Sequence, residues 1–288
     1  MTLDVGIHDG VRADVYHADP CERPSLSSSI AKILVSKSPA HARIAHPILN
    51  PDLEREDATK FDIGTAAHAL FLEGDDAIFT MIADSWRTND AKEARDEARE
   101  AGKIPLLLKQ AGDVRSMVAE ARAQIDKHRA RPKLFTDGKP EQTLIWKEDN
   151  GVICRARLDW LRDDRTAVDD YKSTSSSADP AAWSRTLYGM NADVQVAFYM
   201  RGVERLTGIR PAFRFVVQET KEPYALSVVD LSPAALALAE EKVAKAIKVW
   251  ELCLDRDMWP AYTTDVASIE LPTWEELRWL ETQEDEAA

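Results

Sequence analysis

Two apolar runs interrupted by acids constrain this chain more than any other stretch. Cys154-Arg155-Ala156-Arg157-Leu158-Asp159-Trp160 and Ala167-Val168-Asp169-Asp170-Tyr171-Lys172 flank the turn-forming Arg162-Asp163-Asp164-Arg165. They read as two short strands joined by a tight connection. Side chains alternate along a strand, so Asp170 and Lys172 share one face and Asp169 and Tyr171 the other, while Arg155, Arg157 and Asp159 share a face. If the strands pair, Asp159 and Asp170 converge with Lys172 beside them. A structural salt bridge accounts for such a group. So does a divalent cation held by carboxylates, with the lysine positioning or activating a water.

The 288 residues suffice for one domain with a sizeable core. A net charge of −13 argues against a protein that coats nucleic acid non-specifically. The acid excess is uneven, however: Arg23 to Asn50 contains no acid, while Arg23, Lys32, Lys37 and Arg43 are cationic. That segment is the candidate anion-facing surface, with a solvated basic helix as the plain alternative. Cys21, Cys154 and Cys253 lack zinc or iron–sulfur spacing, so no iron–sulfur cluster is expected and a reducing cytoplasm is the natural setting. Asp4 and Asp9 interrupt any apolar signal core, and no run reaches the ~20 apolar residues that span a bilayer. No membrane partner is expected.

Along the chain, Val11–Tyr16 reads as a short strand. Leu26-Ser27-Ser28-Ser29 opens a helix with Ile30, Ile33 and Leu34 as its apolar stripe, and Ser38-Pro39 starts another through Ala45. Capping explains one of the three serines. Backbone N–H groups at that helix start would favour a phosphate near Ser27, Ser28, Ser29 and Lys32. Phe61–Glu73 is an apolar helix whose Gly64, Thr65, Ala66 and Ala67 permit close packing; its His68 is a hydrogen-bonded core residue unless carboxylates face it. Asn89–Gly102 and Pro105–Arg131 read as helices, and 75–86 is ambiguous. Glu141–Trp146 and Val152–Leu161 form a hairpin about Asp149-Asn150-Gly151, with Val168–Lys172 as a third strand. Helices over Ala181–Leu187 and Ala192–Leu206, strands over Ala212–Gln218 and Ala225–Asp230, and a Ser232-capped helix to Leu254 follow. The acidic 281–288 tail is expected to be disordered. Residues 1–280 are expected to form one α/β domain with a mixed central sheet flanked by helices, 1–60 being its N-terminal helical part.

In order, Gly64-x-x-x-His68, Glu141, Asp159, Asp170-x-Lys172 and Gln195-x-x-x-Tyr199 resemble the PD-(D/E)XK nuclease superfamily in its RecB-like branch. Gly64–Gly74, Trp86–Lys92, Glu141–Asp159 and Met258-Trp259-Pro260-Ala261 look like the RecE-type exonucleases (exodeoxyribonuclease VIII and its phage relatives). Leu158 stands where that family usually has proline, and Ser173 where it commonly has threonine.

The resemblance implies a restriction-endonuclease-like core and a 5′-to-3′ exonuclease on linear double-stranded DNA. It would use Mg²⁺, or Mn²⁺ in its place, and leave 3′ single strands for annealing. An endonuclease of restriction or repair type, or an inactive DNA-binding relative, are the alternatives. The resemblance assigns metal binding to His68, Asp159, Asp170 and the Tyr171 carbonyl, and gives Lys172 the water or the transition-state charge. Glu141 would orient a metal water or support a second metal. Gln195 and Tyr199 would orient the site and contact DNA, although Tyr199 also suits core packing. Arg157 would neutralise Asp159 or hold a phosphate. Ser29, Lys32 and Arg87 would contact the 5′-phosphate, with Ser173 and Thr174 as further DNA contacts. The partners implied are a homo-oligomeric ring around the duplex and a single-strand annealing protein.

Overall fold

A computed structural model describes residues 2–52 and 63–286. Phe61 and Asp62, at the front of the expected small-residue helix, lie outside them. In chain order the elements are β1 (Gly6–His8), α1 (Ala13–His17), β2 (Leu26–Ser27), α2 (Ser28–Ser36), α3 (Pro39–Ala45) and α4 (Ile63–Glu73). Next come β3 (Ile78–Met81), α5 (Asn89–Glu100), β4 (Ile104–Leu107), α6 (Leu108–Lys127), β5 (Gly138–Lys147), β6 (Ile153–Arg162) and β7 (Ala167–Thr174). The chain finishes with α7 (Pro180–Gly189), α8 (Ala192–Thr207), β8 (Ala212–Glu219), β9 (Leu226–Val229), α9 (Pro233–Arg256) and α10 (Thr273–Glu286).

The expected mixed central sheet is present as seven strands in the order β1-β5-β6-β7-β8-β9, with β2 added beside β6; β3 and β4 pair separately. β5, β6 and β7 form an antiparallel meander, whereas β8 runs parallel to β7. Alternation distributes the apolar side chains to two cores. Phe215 and Val217 of β8 face α2, α8 and α9, while Tyr171 and Val216 face α4 and α6. Ala66 and Ala67 are fully buried in the second core. On the opposite side, α8 lies so close to β5 that a Cβ on Gly202 would sit 2.7 Å from the Trp146 ring. That approach carries the polar residues of α8 onto the sheet.

The feature that positions the site is a fork. β6 and β7 pair only at Trp160↔Asp169 and Leu161↔Val168, and beyond that point they separate. The opposite half of β6 is taken by β2, which pairs Leu26↔Cys154 and Ser27↔Arg155 and leads straight into α2. Asp159 and Asp170 stand just past the last pair, where the ladder stops.

Several local expectations need correction. Residues 13–17 are helical, because Val11 and Val15 fit a helical spacing as well as an alternating one, and a window this short admits both periods. Leu26–Ser27 is a strand rather than a helix start, its backbone being used by β6. Residues 104–107 pair with β3, so α6 begins at Leu108; Pro105 lies in the strand. The acidic 281–286 continue the helix from Thr273 instead of losing structure.

Candidate metal centre and active site

Asp159 occupies the crotch of the fork. With no strand opposite, the Tyr171 N–H donates to Asp159 Oδ2 at 2.8 Å, so the carboxylate replaces the missing ladder partner. His68, midway along α4, brings Nε2 to 3.0 Å from the same oxygen. The β5–β6 register runs through Pro140↔Trp160 and Gln142↔Leu158, which sets Glu141 opposite Asp159. Glu141 has a left-handed backbone (φ 52°) within a strand, a strained conformation for a side chain other than glycine. His68, Glu141 and Asp159 each offer a ligand atom, and these atoms lie within 4.8 Å of one another.

Asp170 and Lys172 form the other half. Both sit on the β7 face toward α8, where the Gln195 amide donates to Asp170 Oδ2 at 2.6 Å. Asp170 Oδ1 meets the Lys172 ammonium, yet receives no well-directed hydrogen bond. Gln195 is itself oriented from the opposite end, since Lys32 of α2 donates to its Oε1 at 3.1 Å. A continuous polar line therefore runs Lys32–Gln195–Asp170–Lys172.

The electrostatics divide the acids. Burial works against the charged form of Asp159, but His68, Lys172 and the Tyr171 N–H outweigh it and hold the carboxyl at about 2. Burial and then the Asp159 charge push Asp170 up to about 6. Burial pushes Glu141 up to about 7 against the pull of Arg157 and His68. On the basic side, burial and the nearby Lys172 lower Lys32 to about 8. Burial opposes charge on His68 too, but Asp159 and Glu141 raise it. Carboxyl groups crowded with like charge and held in a dry site are stabilised by a cation.

Two carboxylates and an imidazole gathered within coordination range suit a divalent cation that accepts oxygen and nitrogen. The residues fit. The membership differs from the expected one, with Glu141 joining His68 and Asp159 while Asp170 is engaged by Lys172 and Gln195. Tyr171 enters through its backbone; its ring stacks on Phe71 and its hydroxyl reaches Gln218, on the other face.

The remaining expected residues are spread out. Arg157 pairs with Glu141 rather than Asp159. Tyr199 is buried, in the core that packs α8 against α2. Ser29 is exposed at the start of α2, beside a cavity of about 260 Å³ that it shares with Ser27 and His17. Ser173 is exposed beyond Lys172. Thr174, expected to touch DNA, is instead buried with its hydroxyl accepting from Ser176 N–H. Arg87 is exposed and makes no ion pair with the described residues. Of the serine triplet expected at the helix start, Ser27 is the cap and Ser28 is buried. The buried Asp19–Arg155 pair, closed by Ser25, was also not foreseen and carries Arg155 away from the site.

A meander opening into a fork, with acids and a lysine at the crotch, defines a PDDEXK-like fold. The chain belongs to the family described as a PDDEXK-like domain of unknown function (DUF3799), whose model matches residues 27–272. The fold is similar to the crystal structure of a candidate exonuclease from Eubacterium rectale, with a TM-score of 0.58 at 13% identity, covering 92% of this chain and 97% of that one. A second solved structure, titled SSO0001, covers 84% of this chain and 89% of its own at 11% identity, and its TM-score of 0.36 carries no argument. No curated protein matches the sequence. Among the described residues no helix is long and apolar enough to cross a membrane.

Proposed function

We propose that this protein is a metal-dependent deoxyribonuclease of the RecE type, degrading linear double-stranded DNA from 5′ to 3′ and leaving 3′ single strands for annealing. The observation that carries the reading is the convergence of His68, Glu141, Asp159, Asp170 and Lys172 at the fork. A divalent cation, Mg²⁺ or Mn²⁺, would be held by His68, Glu141 and Asp159, with Asp170 beside them; bound there it supplies Lewis-acid polarisation and a more acidic water. The chain's own residues do the rest. Burial works against charge on Lys172, but Asp170, Asp159 and Glu141 together outweigh it and keep the ammonium charged. That ammonium can orient the attacking water and stabilise charge that develops on the phosphate. Gln195 holds Asp170 in place, and Arg157 fixes Glu141.

End-directed action is supported by the basic N-terminal segment. Lys32 reaches the site through Gln195, and the adjoining Ser29 cavity is suited to a terminal phosphate. A ring of copies around the duplex would reconcile an acidic chain with DNA by confining positive potential to one channel. The test is digestion of 5′-phosphorylated linear, 5′-hydroxyl linear and closed circular DNA, with Mg²⁺ or with chelator. Loss of linear DNA with Mg²⁺ alone, circles left intact, is the expected result. Cleavage of circles makes the protein an endonuclease, and equal digestion by wild type and Lys172→Ala removes the catalytic assignment.

A further inference from the structure

Beside the metal centre lies a cavity that the hydrolysis itself does not use. It has a volume of about 350 Å³, and the half-buried rings of Phe71, Phe135 and Trp160 form its walls. Phe71 meets Phe135 at 79°, centroids 4.8 Å apart, and Phe135 meets Trp160 at 76° and 6.1 Å. Neighbouring rings stand nearly at right angles, so they make a box instead of stacking shut. Contacts outside the box hold each ring. Phe71 stacks on Tyr171, and Trp160 Nε1 donates to the Thr136 carbonyl at 3.4 Å. Phe135 has a left-handed backbone (φ 49°), rare for an aromatic residue, and its N–H is tied to Asp169. Strain of that kind persists only where the surroundings enforce it, and it gathers at ligand sites.

Charge and location narrow the occupant. Arg122 holds its guanidinium 5.9 Å from the Phe71 ring and makes no ion pair with the described residues. At the same cavity Lys133 and Asp126 lie 3.6 Å apart and offset one another, so one positive charge is left over. An aromatic box also suits a quaternary ammonium, but Arg122 repels a cation. A flat, unsaturated group attached to an anion fits both the rings and the charge. The volume is near the lower end of small-molecule sites, about 300–1,000 Å³. The cavity is also close to the acids. Leu72, in its wall, is one turn of α4 beyond His68, about 6 Å at 1.5 Å per residue, and Trp160 directly follows Asp159. A nucleic-acid strand advances about 3.4 Å per nucleotide. A phosphate at the metal centre therefore brings the base one or two nucleotides away within reach of the box.

We propose that the cavity receives an unpaired nucleobase of the strand being cut, one or two nucleotides from the scissile phosphate, with Arg122 on an adjoining phosphate. The inference rests on the nuclease reading and adds to it a place for the base, which leaves its partner before the bond is cut. Taking a base out of a duplex costs least where pairing is already weak, as at a frayed end. Stacking tolerates all four bases, so the cavity sets position along the strand and not sequence.

The test uses the full chain and 5′-phosphorylated linear duplexes with one 5-iododeoxyuridine among the first four nucleotides from either end. Lys172→Ala with Mg²⁺ keeps the DNA uncut during irradiation. One placement is expected to crosslink to Phe135 or Trp160, as mapped by mass spectrometry of the peptides. In wild type, an abasic nucleotide at that placement should lower kcat/KM by about 5- to 150-fold, the range for one base–aromatic stack. Phe135→Ala should cause a similar loss on intact DNA and little further loss on the abasic substrate, since both remove the same contact. Arg122→Gln, at an exposed residue, should raise KM severalfold even where Phe135→Ala does not fold. No crosslink at the cavity, losses that multiply, or an unchanged KM in Arg122→Gln each overturns the proposal. A cavity crosslink alongside a wild type that cuts no DNA would instead remove the nuclease reading and leave the base site. Cutting without a cavity crosslink removes the base site alone.

Discussion

Asp169 and Asp170 are neighbours on β7, equally buried, and opposite in situation. Asp169 is closed: Arg214 Nε donates to Oδ1 at 2.6 Å, and the Phe135 N–H donates to Oδ2 at 2.8 Å. One acid meets one guanidinium, and the segment from Pro132 to Phe135 closes over the pair through the Pro132 carbonyl and the Phe135 N–H. Asp170, a single residue along, shares its surroundings with Asp159 and Glu141, and these acids hold Lys172, His68 and Arg157 in common on one face. Strand alternation sends the two carboxylates to different faces, and only the face at the fork accumulates acids. A buried acid with its own cation is structure. Buried acids that share their cations across one face are a candidate site.

The largest expected effect falls on the open side. Lys172→Ala should lower the rate of DNA hydrolysis by about 10²–10⁴, the range for a group that moves a proton or steadies charge in the transition state. The rate is compared per folded molecule, and an unchanged rate would erase the contrast between the two faces. On the closed side, Asp169→Asn should cost about 3–5 kcal/mol in urea unfolding, because Arg214 is left buried without its counter-charge. Activity per folded molecule should survive; a loss below about 1 kcal/mol would mean that Asp169 is not the structural member of the pair.

A smaller effect sharpens the metal assignment. Mg²⁺ or Mn²⁺ at a hundredfold excess over its dissociation constant should stabilise the wild type by about 2.7 kcal/mol. Glu141→Gln should reduce that gain at equal metal, as read by thermal shift, while Asp169→Asn should keep it in full. The smallest concerns pH. Glu148 is another closed acid: burial works against its charge, but Arg201, Trp146 and Arg205 more than compensate and hold its carboxyl below the usual value. Its stabilising contribution is therefore present above the unfolded carboxyl value of about 4.3 and is lost as pH falls through the lowered folded value. Glu148→Gln should flatten the loss of stability on the acid side of pH 5, and an unaltered acid limb would contradict this.

Much of this arrangement was legible beforehand, and the misses have a common cause. The hairpin about Asn150-Gly151, the third strand and the long α9 follow from turn residues and periodicity, which are local. The assignment of Asp170 and Lys172 to one face followed from alternation alone. The short α1, the strand over Leu26–Ser27 and the strand ahead of α6 were misread because pairing partners far along the chain, or windows of five or six residues, decided them. The resemblance implies Thr174 as a DNA contact, and a motif match carries no information on burial. The burial of Thr174 depends on β8, whose Glu219 it faces in the register. Glu141 was placed near the site but in a lesser role, since nothing local announces a left-handed residue inside a strand.

By itself the sequence determined the elements that local periodicity controls, and the alternation that separates Asp169 from Asp170. Only the tertiary structure decided where β6 and β7 part company, which acid opposes which, and that Lys32 reaches across 163 residues of chain to Gln195. The reason is physical. Periodicity is a property of neighbours along the backbone, whereas a carboxylate's charge and partners depend on groups that approach through space, and those are set by packing.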